Sequence, residues 1–358
     1  MVDQENFWLC KEVKLRVVRR ELFFHKPAKT SRDVMRSHDV RYIVLSDKSN
    51  TIFGIGECSP IWGLSPEVKE NFAISLQEME SPFLQFSNFQ SILNENPSIR
   101  FAIETACLDY KNGGKRQIFE DSTTGEIYIN GLVWMNDIKS MFAEARSKIE
   151  RGFDTIKFKV GALDFQQEIE LLNRIRSEVS SHITIRLDAN GAFTPLEALR
   201  KLDALSKFNI HSIEQPIKSG QLDALAHLVS VSPIQIALDE ELISASDLAY
   251  KKQLLDKVNP HYIVLKPTLH GGLSGCDQWI SLAEERNIGW WITSALESNI
   301  GLNAIAQWTA IKNPTLPQGL GTGELYSNNI PSPLQISSGQ LWWSPEMKWD
   351  VSEIITGQ

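Results

Sequence analysis

Short apolar segments alternate with longer amphipathic segments over residues 128–323, and this alternation constrains the fold more than any other feature of the sequence. The apolar segments are rich in β-branched and aromatic residues and are bounded by Gly, Pro or Asn, which is typical of strands. The amphipathic segments carry apolar residues three and four positions apart, which is typical of helices. The predicted strands are 128–134, 155–160, 183–190, 211–216, 234–240, 262–267 and 289–294, and helical patterns cover 164–179, 194–208 and 276–287.

This order predicts right-handed parallel βαβ units, and therefore an α/β fold. Seven such units, with an eighth strand expected near 318–323, are more than an open sheet commonly needs. The sequence therefore predicts a closed (β/α) barrel over residues 126–324.

Residues 1–125 have a different pattern. Segments that read as antiparallel strands come first, and helical stretches follow near 66–80 and 99–112. We interpret this part as a separate α+β domain. Residues 325–358 contain the strand-like segment LQISSGQLWWSP and no helical pattern, so we expect them to return and pack on the first domain.

The charge balance argues against a polyanionic partner. The 358 residues contain 36 Lys and Arg against 44 Asp and Glu, a net charge of −8, with no basic block. Nucleic acid and anionic membrane surfaces are therefore disfavoured, and a small molecule is the expected partner.

The chain has no apolar run of about 18 residues and no secretory pattern near its start, so we expect a cytoplasmic protein. The pattern leaves the oligomeric state open.

The cysteines are scattered singly along the chain. No Cys-x-x-Cys pair occurs, which favours buried thiols over a disulfide framework or a zinc site. The four are Cys10, Cys58, Cys107 and Cys276.

Charged residues occur at the ends of five consecutive predicted strands. Lys159, Asp188, Glu214, Asp239 and Lys266 are 25 to 29 residues apart, about one βα unit each. Because the carboxyl ends of barrel strands form one rim, which carries the active site, we expect these side chains to converge. A solvated strand face is the alternative for any one of them, but five residues in the same register argue against it.

Side-chain alternation predicts which neighbours also point into the barrel. Lys157 shares a strand face with Lys159, and Arg186 and Asn190 share a face with Asp188. The intervening apolar residues then face the helices. We interpret Lys157, Arg186 and Asn190 as supporting residues of the site.

Three carboxylates on adjacent strands repel one another at close range, so positive charge must hold Asp188, Glu214 and Asp239 together. The matching positions offer oxygen ligands and neither His nor Cys, which favours Mg²⁺, with Mn²⁺ as a substitute, over zinc. A cation and a second ammonium nearby should lower the pKa of a lysine towards neutrality. Lys159 or Lys266 would then act as a base that removes a proton next to the carboxylate of a small-molecule substrate.

Other residues are candidates for binding a second substrate carboxylate. Ser294 and Glu297 follow the seventh strand, and Gly321 offers a backbone donor after the eighth. Capping of the next helix is the alternative role for this group. Lys26, Lys29 and Arg32 are expected to form a lid over the barrel mouth, with a solvated loop as the alternative.

Five strings occur in the order IKFKVG, RLDANGAF, IEQP, ALDE and LKP. Together they resemble the enolase superfamily, in its muconate lactonizing enzyme-like branch. The resemblance implies a modified (β/α)₇β TIM-type barrel with an N-terminal α+β capping domain. It also implies metal ligands at Asp188, Glu214 and Asp239, and acid/base lysines at Lys159 and Lys266.

Three further strings, LKPTLHGGLSG, SALESNIG and QGLGTGELYSNN, resemble the o-succinylbenzoate synthases of menaquinone biosynthesis within that branch. The resemblance implies Mg²⁺-dependent dehydration of 2-succinyl-6-hydroxycyclohexa-2,4-diene-1-carboxylate. An N-acylamino acid racemase, a dipeptide epimerase or a cycloisomerase would use the same proton abstraction. A non-catalytic carboxylate-binding barrel is the alternative of another class, but it has no need of a lysine base on either side of a metal.

Overall fold

The computed structural model describes residues 13–29, 34–80, 86–120, 122–123, 125–179, 182–245 and 247–357. The N-terminal part forms an antiparallel sheet of three strands in the order β1-β2-β3, against which one long helix packs. Its elements are β1 (Lys14–Lys29), β2 (Val34–Ser46), β3 (Phe53–Cys58), α1 (Lys69–Met79), α2 (Phe86–Glu95) and α3 (Pro97–Lys111).

A parallel sheet of seven strands, β5 to β11 in chain order, follows. This curled sheet is consistent with the predicted TIM-type barrel, but the predicted closure is not seen, because β5 and β11 lie at opposite edges and do not pair with each other. The strands of this region are β4 (Ile127–Tyr128), β5 (Gly131–Val133), β6 (Thr155–Lys159), β7 (Thr184–Asp188), β8 (Ile210–Glu214), β9 (Ile236–Leu238), β10 (Tyr262–Leu265) and β11 (Gly289–Ile292).

A helix follows each strand of the parallel sheet. Four of these helices begin at a side chain that accepts a backbone N–H of the first turn: Asp137, Asp164, Asp247 and Ser298. The helices are α4 (Ile138–Glu150), α5 (Phe165–Glu178), α6 (Pro195–Ser206), α7 (Leu222–Val231), α8 (Leu248–Val258), α9 (Gly272–Glu284) and α10 (Asn299–Lys312).

Two residues connect the end of β11, at one edge of the seven-stranded sheet, to the segment just before β5, at the other edge. The N–H of Gln318 donates to the carbonyl of Tyr128 at 2.8 Å, and the N–H of Gly319 donates to the carbonyl of Ile292 at 2.8 Å. The eighth strand expected over 318–323 is therefore only this bridge. The glycine-rich sequence that follows forms a 3-10 helix over Gly321–Glu324 instead.

The apolar residues of the strands pack against the surrounding helices. Ile156 and Phe158 of β6 lie in one buried cluster with Leu171 and Ile175 of α5. This cluster extends around the sheet and buries the outer face of each strand. The alternate residues of the same strands are left for the interior of the sheet, where the charged side chains lie.

The last residues contact both parts of the chain. Strands β12 (Leu334–Ser337) and β13 (Gln340–Trp343) form a small antiparallel sheet with β4. The short helix α11 (Ser352–Thr356), which the sequence pattern did not indicate, packs on the N-terminal sheet through Ile354. Arg16 of β1 donates to the carbonyl of Ile354 at 3.0 Å.

The three described cysteines, Cys58, Cys107 and Cys276, are buried thiols outside any disulfide, as predicted, and Cys10 lies outside the described residues. Across the described ranges, every helix falls short of the length and apolarity needed to span a bilayer.

We predict that Gly56→Ala strongly destabilises the N-terminal part. A Cβ at Gly56 would lie 1.8 Å from the carbonyl oxygen of Ala102 in α3, so the strand and the helix would have to separate. Overpacking of this kind costs about 1–3 kcal/mol or more. Urea unfolding measures the loss, with Gly125→Ala as the control because a Cβ at Gly125 meets nothing within 4 Å. Equal stability of the two variants would contradict the close packing.

Candidate active site

Strand register brings the predicted charged residues to one end of the sheet. Lys159 pairs with Asp188 across β6 and β7, and Asp188 pairs with Glu214 across β7 and β8. Asp239 follows the last residue of β9, and Lys266 follows the last residue of β10. All five side chains therefore lie at the carboxyl ends of neighbouring strands.

Three of these residues form a buried group of carboxylates. Asp188, Glu214 and Asp239 are fully buried, and one carboxylate oxygen from each lies within 4.8 Å of the others. A set of oxygen donors at this spacing fits a hard divalent cation such as Mg²⁺. The donor chemistry of the chain is thus suited to the cation that the sequence predicted.

Three lysines pair with the same carboxylates. Lys157 lies 3.0 Å from Glu214 and 3.3 Å from Asp188, measured from its ammonium nitrogen to a carboxylate oxygen. Lys159 lies 2.6 Å from Asp188, and Lys266 donates to Asp239 at 2.7 Å. Each of the three carboxylates is therefore paired with a lysine. Repulsion between the carboxylates does not by itself require a cation, contrary to the reasoning from sequence, and the case for one rests on the donor set.

The ion pairs shift the pKa values of their members. Burial favours the neutral form of Lys157, but the charges of Glu214 and Asp188 outweigh burial and raise the pKa of this lysine. Burial and Asp239 act on Lys266 in the same way, and its pKa is also raised. The carboxylates of the site thus favour the ammonium forms of Lys157 and Lys266. A lysine that acts as a base at neutral pH needs additional positive charge close to it.

The same environment shifts the pKa values of two carboxylates, Asp188 and Glu214, in opposite directions. Burial would raise the pKa of Asp188, but the charges of Lys159 and Lys157 outweigh it and hold that pKa well below its usual range. For Glu214, burial dominates and raises the pKa to about 8.

Lys159 and Lys266 lie on either side of the carboxylate group and line the same cavity, which has a volume of 1220 Å³. Lys159 also donates to the amide oxygen of Asn190 at 2.8 Å, and the Asn190 amide donates to Glu240 at 2.9 Å. The backbone N–H of Lys266 donates to Nδ1 of His270 at 3.0 Å. Each lysine is thus held by neighbours as well as by a carboxylate.

Two residues of this network were missed by the sequence reasoning. Glu240 follows Asp239 directly and binds the Asn190 amide. The amide oxygen of Gln215 accepts the backbone N–H groups of Asp239 and Glu241, each at 3.2 Å, and so fixes the segment after β9. The one signal for Gln215 was its position between Glu214 and a proline at a strand end.

Arg186 lies on the inner face of β7 but does not line the cavity. Its guanidinium stacks on the ring of Trp291 at 4.1 Å and donates to the carbonyl of Pro317 at 2.8 Å. It therefore packs within the sheet interior, two residues before Asp188.

The residues expected to bind a second carboxylate divide into two groups. Ser294 and Gly321 line the cavity. Glu297 is fully buried and does not line it, since its carboxylate accepts bonds from the Thr268 hydroxyl and from the N–H of Ala295. Of the three expected lid residues, Lys26 lines the cavity, and Arg32 and the side chain of Lys29 lie outside the described part of the chain.

The N-terminal part supplies one wall of the cavity. Lys26 and Met35 line it from β1 and β2, and Trp62 and Leu64 line it from the segment after β3. Periodicity gave no signal for Trp62, because it lies in a turn.

The comparisons with known proteins agree with this geometry. Residues 140–345 match the family described as enolase C-terminal domain-like. The chain is 43% identical to the o-succinylbenzoate synthase of Desulfotalea psychrophila, over 90% of this chain and 97% of that protein. It is 24% identical to the L-Ala-D/L-Glu epimerase of Bacillus subtilis, over 84% of this chain and 86% of that protein.

A solved structure matches most of the chain. The crystal structure of MenC from Desulfotalea psychrophila LSv54 superposes with a TM-score of 0.81 at 39% identity. The match covers 93% of this chain and 100% of that one. Fold and sequence therefore point to the same group of proteins.

We predict that Asp188→Asn destabilises the protein in the presence of a chelator. The substitution removes the carboxylate that the buried Lys157 and the partly buried Lys159 share, and breaking a buried pair costs about 3–5 kcal/mol. Urea unfolding measures the loss. Asp256→Asn is the control, because Asp256 pairs with Arg286 at the surface and its loss should change little. A smaller loss for Asp188→Asn than for the control would show that the buried pairs do not stabilise the fold.

Proposed function

This chain belongs to the enolase superfamily, and from that premise we propose that it is an o-succinylbenzoate synthase. The proposed reaction removes water from 2-succinyl-6-hydroxycyclohexa-2,4-diene-1-carboxylate to give o-succinylbenzoate in menaquinone biosynthesis. One observation carries the chemistry: Lys159 and Lys266 lie on either side of a buried carboxylate triad and line one cavity. The identity of 43% over 90% of the chain supports this substrate over those of other superfamily members.

Within this proposal, Asp188, Glu214 and Asp239 hold Mg²⁺, and Mn²⁺ can replace it. When bound, the cation supplies positive charge to the substrate carboxylate and makes the adjacent C–H bond more acidic. The remaining steps belong to the lysines. Lys157 stays charged beneath the site and keeps Glu214 and Asp188 in place.

We assign both proton transfers to Lys159. Its neutral amine takes the proton from the carbon next to the carboxylate, and the C–H electron pair is delocalised onto that carboxylate. The ammonium so formed donates a proton to the departing hydroxyl on the same face, the electron pair returns to form the new ring double bond as the C–O bond breaks, and water leaves. Lys266 remains an ammonium and stabilises the negative charge that develops on the carboxylate.

The second carboxylate of the substrate, at the end of the succinyl chain, needs donors elsewhere in the cavity. Ser294 and the backbone of Gly321 are the described candidates that line it. Glu297 supports this wall from behind, through Ala295.

A racemase acting on N-acylated amino acids is the second candidate, because it also needs a lysine on each face of the substrate. The two candidates differ in what they demand of Lys266. A racemase requires it to exchange protons, whereas the synthase requires only its charge.

We also propose the division into a capping domain of residues 1–125, a modified (β/α)₇β barrel of residues 126–324, and a segment of residues 325–358 that returns to the capping domain. The contact of α11 with the N-terminal sheet supports the last assignment. A cytoplasmic location stays a prediction.

We predict that excess chelator abolishes turnover and that Mg²⁺ or Mn²⁺ restores it. The change in ultraviolet absorbance on aromatisation of the cyclohexadiene substrate measures the rate. A thermal melt supplies a second readout, because Mg²⁺ should raise the Tm of the native chain and not that of Asp239→Asn. Full turnover in chelator would refute the metal site.

We predict that the two lysines respond differently to arginine. Lys266→Arg keeps the charge and should retain more activity than Lys266→Ala. Lys159→Arg should be as inactive as Lys159→Ala, because an arginine does not become neutral at working pH. The measurement is kcat/KM for the four variants. A clearly active Lys159→Arg would sink its assignment as the base, and equal, complete loss in both Lys266 variants would favour a proton-exchanging role.

A further inference from the structure

Two glutamates of the N-terminal part accept hydrogen bonds from the first turns of two barrel helices. Glu57, in β3, accepts the N–H of Ser298 at 2.7 Å and the N–H of Gly301 at 2.8 Å, at the start of α10. Glu104, in α3, accepts the N–H of Leu273 at 2.6 Å, at the start of α9. Both carboxylates are almost entirely shielded from solvent.

A serine hydroxyl adds a further bond to each carboxylate. The hydroxyl of Ser298 donates to Glu57, and the hydroxyl of Ser274 donates to Glu104. The N–H groups of a first helical turn have no partner within the helix, and the helix dipole favours negative charge there. Each glutamate thus satisfies donors that would otherwise be buried without partners.

A glycine leaves the space that each carboxylate occupies. A Cβ on Gly272, the first residue of α9, would lie 2.4 Å from a carboxylate oxygen of Glu104. A Cβ on Gly301, in the first turn of α10, would lie 3.0 Å from a carboxylate oxygen of Glu57. The two helices therefore carry room for these side chains as well as donors for them.

The two helices begin directly after segments of the site. Lys266 precedes α9 by six residues, and Ser294 precedes α10 by five. A hydrogen bond from Thr268 to Glu297 ties the two segments together. A shift in the start of either helix would consequently move the cavity wall.

We propose that Glu57 and Glu104 are positioning residues of the reaction, which hold the Lys266 and Ser294 segments in register with the wall supplied by the N-terminal part. The inference rests on the proposed function. Neither residue lines the cavity, so each acts through the helix that it binds. A displacement of about 1 Å at a reacting group can lower the rate by roughly a hundredfold.

The chain offers a matched control in Glu67. This buried glutamate also accepts the N–H of a first helical turn, that of Ser98 at 2.8 Å, but the helix is α3 of the N-terminal part itself. Its loss removes the same kind of bond without touching the barrel. A purely structural role for Glu57 and Glu104 would make all three glutamates equivalent.

The test compares Glu57→Gln, Glu104→Gln and Glu67→Gln in the full chain with Mg²⁺, at pH 8 and well below the lowest Tm. All three variants should lose thermal stability. Glu104→Gln should lower kcat roughly tenfold to a hundredfold, because it frees the Lys266 segment, and Glu57→Gln should mainly raise KM, because it frees the Ser294 wall. Glu67→Gln should keep kcat and KM within about twofold of the native values.

Native kinetics in Glu57→Gln and Glu104→Gln would overturn the proposal, as would equal kinetic losses in all three variants. Ser274→Ala removes only one donor to Glu104 and serves if Glu104→Gln fails to fold. It should shift kcat in the same direction by a smaller factor, and native kcat in this variant would count against the proposal.

Amide hydrogen exchange separates the failure of this inference from the failure of the proposed function. Residues 266–270 should lose protection in Glu104→Gln, and residues 293–296 should lose it in Glu57→Gln, but neither segment should change in Glu67→Gln. If the native chain does not turn over the cyclohexadiene substrate, the proposed function fails. The amide hydrogen exchange data then test by themselves whether Glu57 and Glu104 hold these segments in place. Unchanged protection in both segments would refute the positioning role.

Discussion

The pairing of three buried carboxylates with three lysines is the constraint on which the rest of the site depends. Each charge is costly to bury alone, and the cost is offset only when a partner lies within hydrogen-bond distance. Lys157, held between Glu214 and Asp188, therefore fixes β6, β7 and β8 in one register. That register sets the positions of the carboxylates, and with them the oxygen cage that suits a divalent cation.

The features that follow from the alternation of side chains along a strand could be predicted from the sequence. Alternation along β6 placed Lys157 and Lys159 inside and Ile156 and Phe158 against the helices, and the pairing of Lys159 with Asp188 agrees. The alternation of residues along a strand does not tell which atoms a long side chain will contact. The sequence therefore did not indicate that Lys157 bonds to two strands at once, nor that lysines balance the triad.

Residues that connect distant parts of the chain carry no local signal of their partners. Glu57 and Ser298 are 241 positions apart, and Glu104 and Leu273 are 169 positions apart. A buried glutamate on an antiparallel strand or a helix looks the same in sequence whether its partner is near or far. The turn that carries Trp62 is a similar case, because its role depends on how the N-terminal part is seated on the barrel.

The segments after the strands carry the residues to which we assign the reaction, and buried carboxylates bind several of these segments. Glu168 of α5 accepts the N–H of Gly161, just after Lys159, and Glu241 accepts the N–H of Gly220 at 3.0 Å. A charge-assisted bond to a backbone N–H fixes a loop more firmly than a neutral bond does. In the proposed mechanism, the positions of the assigned residues therefore depend on carboxylates that do not line the cavity, and the burial of these carboxylates costs stability that the apolar cluster around the sheet must offset.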